Sequence, residues 1–300
     1  MNIGVDIGDT SVLVAAVDES GRVSERAAAE GDVDVVAAAV AAIDRICAGT
    51  DGCFVGVATA ELHSSSVSRL IASLGSRRSD LVAQHAIVGR GTAAAVAESW
   101  IGAARGVASV VYFGVDAHAS AGVVRDGRAV VGAHGYEPAV GWLALNPVER
   151  EDYRKSGCLE AEVAAAGIVR RLIWRVKAGD RSRVADAVDG DLSAITYSAV
   201  VDAARAKDGV SISVMRDTAK YLGMAAANLV IMADPSMLVL GGIMASASDL
   251  LLEPILWELG RRLPGAMMDA LKIGTAAIGD DAVVIGAARR AAWTSAAGSA

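Results

Sequence analysis

Aromatic residues are scarce in this chain: of 300 residues two are Phe, five Tyr and five Trp. A net charge of −7 adds no basic face that could neutralise a phosphate backbone. Without stacking platforms or clustered Lys and Arg, nucleic acid is not expected as a partner. Cysteine is equally sparse. Cys47, Cys53 and Cys158 are an odd number without paired metal-ligand spacing, as expected of reduced thiols in a cytoplasm rather than a secreted disulfide framework. Long uncharged apolar runs are missing too: the stretch from Tyr221 to Leu252 is broken by Asp234, Pro235 and Asp249, so no membrane span is expected. No basic segment precedes an apolar one at the N-terminus, and Asp6 arrives too early for a signal peptide, which points to a cytoplasmic protein.

What the chain does have is apolar mass. At 53% apolar residues it can bury one large core or two ordinary ones, so two lobes are expected and disorder is not. Residues 2–8, 11–18 and 21–27 alternate around glycine-containing turns and read as an antiparallel meander. Asp32 to Ala48 repeats at helical spacing, with Val33, Val36, Val40 and Ile43 on one face. Cys53 to Ala58 reads as a buried strand. Ser66 to Leu74 and Thr92 to Ala104 read as helices around a short strand at Ala86 to Val88.

A second meander starts at Ala108 and returns through Ala121 to Arg125, with Asp126-Gly127 as a tight turn. The layout of the opening is thereby repeated without sequence identity between the halves. Helices are expected over Leu159 to Ala178, Leu192 to Ala206, Ser211 to Ala233 and Leu250 to Leu263, with a strand at Met237 to Leu240. The lobes are placed at residues 1–105 and 106–285, with a C-terminal helix at 286–300 that can pack back on the first.

Several landmarks fall in one order. They are the hairpin Val5-Asp6-Ile7-Gly8-Asp9-Thr10, the run Thr92-Ala-Ala-Ala-Val-Ala-Glu98, Asp126-Gly127, Gly157-Cys-Leu-Glu160, and Asn228-Leu-Val-Ile-Met-Ala-Asp-Pro235 leading to Val239-Leu-Gly-Gly242. Together with Ile278 to Ala288 they resemble the ROK family of sugar kinases and repressors, within the actin, Hsp70 and hexokinase superfamily. The resemblance implies an α/β fold, a two-lobed actin-like ATPase (ribonuclease H-like) architecture of mixed sheets flanked by helices, with an interlobe cleft. It also implies a homodimer and a small sugar-like or anionic ligand in the cleft. The repressor branch carries an N-terminal winged helix, and here the first strand starts at residue 2, so DNA binding by that route is not expected.

In such a kinase two glycine-rich hairpins hold the nucleotide phosphates on backbone N–H groups. Asp6 would hold magnesium through water, Gly8 would permit close approach and Thr10 would donate a hydroxyl. Gly8-Asp9 can equally be a plain hairpin turn. Asp9 stands where the family has glycine, and a carboxylate aimed at a triphosphate costs several kcal/mol at close range. In the second hairpin the family's glycine-rich run aligns with Asp116 to Gly122, leaving only the last glycine, with Asp116 and His118 intruding. Either these two form a new base and orienter, or the loop has drifted. Gly241 and Gly242 would lie beside the adenosine, or serve a strand-to-helix turn where only glycine fits.

The family's catalytic base is an aspartate that takes the proton from the sugar hydroxyl. Its position here is Arg90, a permanently charged guanidinium that cannot do so. Arg90 then binds an anion or sits as a solvated loop charge. Asp80, Asp116 or Glu137 would have to replace the base. The family's sugar-binding Glu and His fall on Ala139 and Trp142. Glu137 could take over as a sugar ligand, and Trp142 either stacks on a ring or packs. The four zinc positions of many relatives fall on Trp142, Glu151, Tyr153 and Cys158, and one soft ligand cannot hold zinc. Glu149 to Lys155 is then read as a solvated charged loop. The expectation is a kinase scaffold that has lost catalysis and acts in binding or regulation, without structural zinc. The alternative is an ATP- and magnesium-dependent carbohydrate kinase with a relocated base.

Overall fold

The computed structural model describes residues 1–8, 10–48, 53–60, 64–77, 85–133 and 139–297. Five strands form the first sheet: β1 (Asn2–Ile7), β2 (Ser11–Val17), β3 (Val23–Glu30), β4 (Phe54–Thr59) and β5 (His85–Gly89), in the order β3-β2-β1-β4-β5. The meander pairs antiparallel, while β1, β4 and β5 run parallel. The second sheet contains β6 (Ser109–Val115), β7 (Ala119–Arg125), β8 (Arg128–Ala129), β9 (Met237–Gly242) and β10 (Lys272–Thr275), in the order β10-β9-β6-β7-β8. Read from its other edge this is the order of the first sheet, so the repeat expected from the two meanders is a repeat of topology. The edge strand β10 had no counterpart among the sequence expectations; four residues of mixed character carry too little period to be read.

Two compact units divide the chain. One contains Met1–Tyr112, Ala121–Pro138 and Ala276–Ala300, the other Phe113–Ser120 and Ala139–Thr275. This differs from a continuous boundary at 105/106, because the second meander contributes to both units and the C-terminal segment returns to the first.

In the first unit Ile3, Val5 and Ile7 of β1 are buried with Val36, Val40 and Ile43 of the helix Val35–Ile46 and with Leu70 and Leu74 of the helix Ser65–Arg77. Asp34 caps the former helix by accepting from the N–H groups of Val36 and Ala37. Val33 therefore lies before the helix and is exposed, outside the apolar stripe in which its spacing had put it. The C-terminal helix Ala282–Ala297 lies on β1 and β4 at glycine distance. A Cβ on Gly4 would come within 1.8 Å of the Val284 carbonyl oxygen and one on Gly56 within 1.9 Å of that of Ala287. These two glycines face each other in the parallel register of β1 and β4, making a flat seat for the helix.

In the second unit the long helix Gly209–Ala233 packs beside Ser248–Arg262. The expected helix over Leu159 to Ala178 is split into Cys158–Val163 and Ala165–Lys177 at Ala164, whose backbone is extended. The segment read as a charged loop is in part the helix Glu151–Ser156. The ion pairs Arg154–Glu149 and Lys155–Glu151 lie on its exposed side, while Tyr153 turns inward.

Candidate functional site

Parallel strands present their carboxyl ends at one edge, where ligands of open α/β sheets bind. Asp6 is near the end of β1, and β5, two strands away, ends at Gly89, which caps the helix Arg90–Trp100. That helix has no side-chain cap. It opens with a cation at its positive end, an unfavourable placement. The Arg90 side chain spans β4 to reach Asp6, where Nη2 donates to Oδ2 at 2.6 Å. Arg90 is thus paired within the chain rather than free as a solvated loop charge. The Asp6 side chain is 12% exposed and that of Arg90 34%. Burial raises the Asp6 pKa and outweighs the opposing pull of Arg90. Asp6 Oδ1 is buried with no hydrogen-bond partner among the described residues.

Gly8 donates its N–H to the Ser11 carbonyl at 2.9 Å, closing the β1–β2 hairpin. The Gly8 amide is thereby engaged within the hairpin. Thr10 is exposed, and its carbonyl accepts from Gly31 N–H at 2.9 Å. Asp9, Asp80 and Glu137 lie outside the described residues. Gly122, the surviving glycine of the second hairpin, has a packing reason to survive: a Cβ there would sit 2.4 Å from the Gly91 carbonyl oxygen.

In the second unit His118 Nδ1 stands 3.1 Å from Glu160 Oε1, and the Ala119 N–H donates to Glu160 Oε2 at 3.1 Å. A carboxylate beside His118 is thus that of Glu160. Glu160 was visible only as part of Gly157-Cys-Leu-Glu160, and its contact with His118 was missed because its partner is 42 residues away in sequence. Asp116 also acts on Tyr197. Its carboxylate is one of the influences that, after burial, push the Tyr197 hydroxyl up to about 12. Gly242 has φ +60, and a Cβ on it would lie 2.1 Å from the Val115 carbonyl oxygen and 2.7 Å from the Asp116 carboxylate. The turn reading of Gly242 therefore has a steric basis; Gly241 precedes it, buried, in β9.

Trp142 ends the short 3₁₀ turn Val140–Trp142 and is 58% exposed. It lies outside the buried core of the described residues. Among the positions aligned with zinc ligands, Glu151 is exposed, and Tyr153 and Cys158 share a small apolar cluster with Ala161 and Leu145. A phenol and one thiol packed in this way do not form a tetrahedral donor set. Elemental analysis of the purified protein is expected to give less than about 0.1 zinc per chain. One equivalent, lost with stability in Cys158→Ser, would contradict this arrangement.

Two mixed sheets of the same order, each flanked by helices, with an acid-glycine hairpin at the start, define the actin-like ATPase fold of sugar kinases. The model of the ROK family matches residues 88–293, and the chain belongs to that family. It is 32% identical over 196 residues to a glucokinase of Halalkalibacterium halodurans, a match covering 64% of this chain and 59% of that protein. It is 29% identical over 200 residues to a xylose repressor of Caldicellulosiruptor bescii, covering 65% and 48%. The matched stretch thus spans about half the length of these curated relatives. Among solved structures, a ROK family glucokinase from Streptomyces griseus in complex with glucose and AMPPNP superposes with a TM-score of 0.78 at 24% identity, covering 97% of this chain and 99% of that one. A ROK family transcriptional regulator, a homolog of the E. coli MLC protein, gives 0.80 at 20% identity, covering 97% and 78%.

Proposed function

We propose that this chain is a sugar-kinase homologue that has lost phosphoryl transfer and serves as a binding or regulatory protein for a small sugar-like or anionic ligand. The observation that carries this reading is the 2.6 Å contact between Arg90 and Asp6. One guanidinium stands where the proton acceptor is needed, and it also neutralises the carboxylate that would hold the metal. Loss of general base catalysis alone costs about 10²- to 10⁴-fold, and a metal site already paired with a cation adds to that. Magnesium at Asp6 would have to compete with the Arg90 charge already paired to Oδ2, so Mg-ATP is expected to bind weakly. Both kinases and repressors occur among the named relatives, so a family role without catalysis has precedent.

The test is a coupled ADP-release screen over hexoses and amino sugars. Turnover below about 10⁻² s⁻¹ is expected, whereas about 1 s⁻¹ or more, the range of ordinary enzymes, would overturn the proposal. One observation favours the catalytic alternative: His118 beside Glu160 at 3.1 Å has the base-and-orienter arrangement. Turnover that disappears in His118→Ala would decide for it.

A further inference from the structure

The second unit contains a polar pocket of about 410 Å³ for which phosphoryl transfer gives no use. That volume lies in the range of small-molecule sites. Asp217, Lys220 and Tyr221 line it from one face of the helix Gly209–Ala233, at spacings of three and four residues. Arg171 enters from Ala165–Lys177, and Arg150 and Asn146 come from the segment before Glu151–Ser156.

Glu162 is buried and accepts from the Tyr153 hydroxyl at 2.5 Å and from Arg150 Nη1 at 2.9 Å, with Arg171 Nε at 3.7 Å. It holds the Arg150 guanidinium by a hydrogen bond and faces that of Arg171, whose Nη2 donates to the Thr218 hydroxyl. Arg150 is fixed further by Asp152 at 2.9 Å and by the Trp174 ring, 4.6 Å from the guanidinium carbon. These cations are ordered before any ligand arrives, so little side-chain entropy is left to lose on binding. Lys220 differs: it is exposed and makes no ion pair among the described residues. Asn146 Nδ2 lies 3.4 Å from the Tyr221 hydroxyl, holding that polar group at the rim.

Three cations, Arg150, Arg171 and Lys220, face two acids, Glu162 and Asp217, and Asp152 behind Arg150 is matched by Arg170 at 3.0 Å, which leaves one positive charge in excess in a chain whose net charge is −7. Burial also presses the Arg171 guanidinium below its ordinary range, a desolvation cost that an incoming anion would relieve. Guanidiniums fixed as planar donors with an exposed ammonium lining the same pocket suit a tetrahedral oxyanion. Asp217, Asn146 and Tyr221 suit hydroxyl groups next to it.

We propose that this pocket binds a small phosphate monoester of a polyol or sugar, at a site distinct from the Asp6–Arg90 pair. The proposal is independent of whether the chain phosphorylates sugars. Titration calorimetry of the full chain with inorganic phosphate, glucose 6-phosphate and glucose tests it, using wild type, Lys220→Glu and Lys220→Arg. Lys220 is exposed and makes no ion pair among the described residues, so both variants should fold; equal melting temperatures would verify that. Both phosphate compounds are expected to bind wild type, with glucose 6-phosphate the tighter. Lys220→Glu should weaken them by about tenfold or more, the effect of losing a charge-assisted contact, and Lys220→Arg should retain most of the affinity. The proposal is overturned if neither phosphate compound binds at millimolar concentration, or if Lys220→Glu binds them as wild type does. Weakening by Arg90→Ala and not by Lys220→Glu would likewise overturn it, locating the anion at the other site.

Discussion

Glu98→Ala should lower the free energy of unfolding by about 3–5 kcal/mol, because three backbone donors would lose one acceptor group. Glu98 is fully buried in the Arg90–Trp100 helix. Its Oε1 accepts from the N–H groups of Ala277 at 2.9 Å and Ile278 at 3.0 Å, and its Oε2 from that of Ala103 at 2.7 Å. The carboxylate therefore ties the end of its own helix to the segment that leads into Ala282–Ala297. Each buried donor left unsatisfied costs about 1–3 kcal/mol, and partial access of water keeps the sum below the simple total. Glu98→Gln should lose less: its carbonyl can serve Ala277 and Ile278, while its NH₂ meets the Ala103 N–H donor to donor. Urea unfolding should show the lower midpoint. Amide exchange should speed up at residues 103, 277 and 278 before it does in β1. A loss of under about 1 kcal/mol in Glu98→Ala would mean that other acceptors replace the carboxylate.

Arg90→Ala should cost about 2–3 kcal/mol at neutral pH, less than the roughly 3–5 kcal/mol of a pair buried on both sides, since the guanidinium is one-third exposed. The deficit should depend on pH. Burial is the larger influence on Asp6 and raises its pKa in the folded protein, against the opposing effect of Arg90. An acid raised in this way contributes its stability in full below its ordinary value of 3.8 and loses it as pH climbs through the folded-state value. Removing Arg90 raises that folded value further. The gap between wild type and variant should therefore open as pH rises from the ordinary carboxylate range toward neutrality, and close again on acidification. Adding Asp6→Asn to Arg90→Ala should restore most of the stability at pH 7. A pH-independent deficit that Asp6→Asn does not repair would show that Arg90 acts through packing alone.

Much of the fold was legible because its elements are local. Period-two runs in β1, β2 and β4 and period-3.6 runs from Val35 and from Gly209 are each written within about a dozen or two dozen neighbouring residues. The guanidinium that follows β5 could be read as well, since it needs only the identity of one residue. Val33 and the break at Ala164 were misread for the same reason: apolar spacing continues through a cap or an extended residue without marking it, and the backbone decides where the helix stops. Trp142 was ambiguous because a single aromatic has no period at all.

Sequence alone determined the two meanders, their matching layout, the family resemblance and the guanidinium at position 90. Tertiary structure decided what that guanidinium does. Asp6 and Arg90 are 84 residues apart and meet only because β1, β4 and β5 align their carboxyl ends. The same holds for Glu98 with Ala277 and for His118 with Glu160. Local sequence sets backbone periodicity through sterics and burial, which act between near neighbours. The partner of a charged side chain is set by which strand ends and helix ends the sheet order brings within a few ångströms, and that order is a property of the assembled chain.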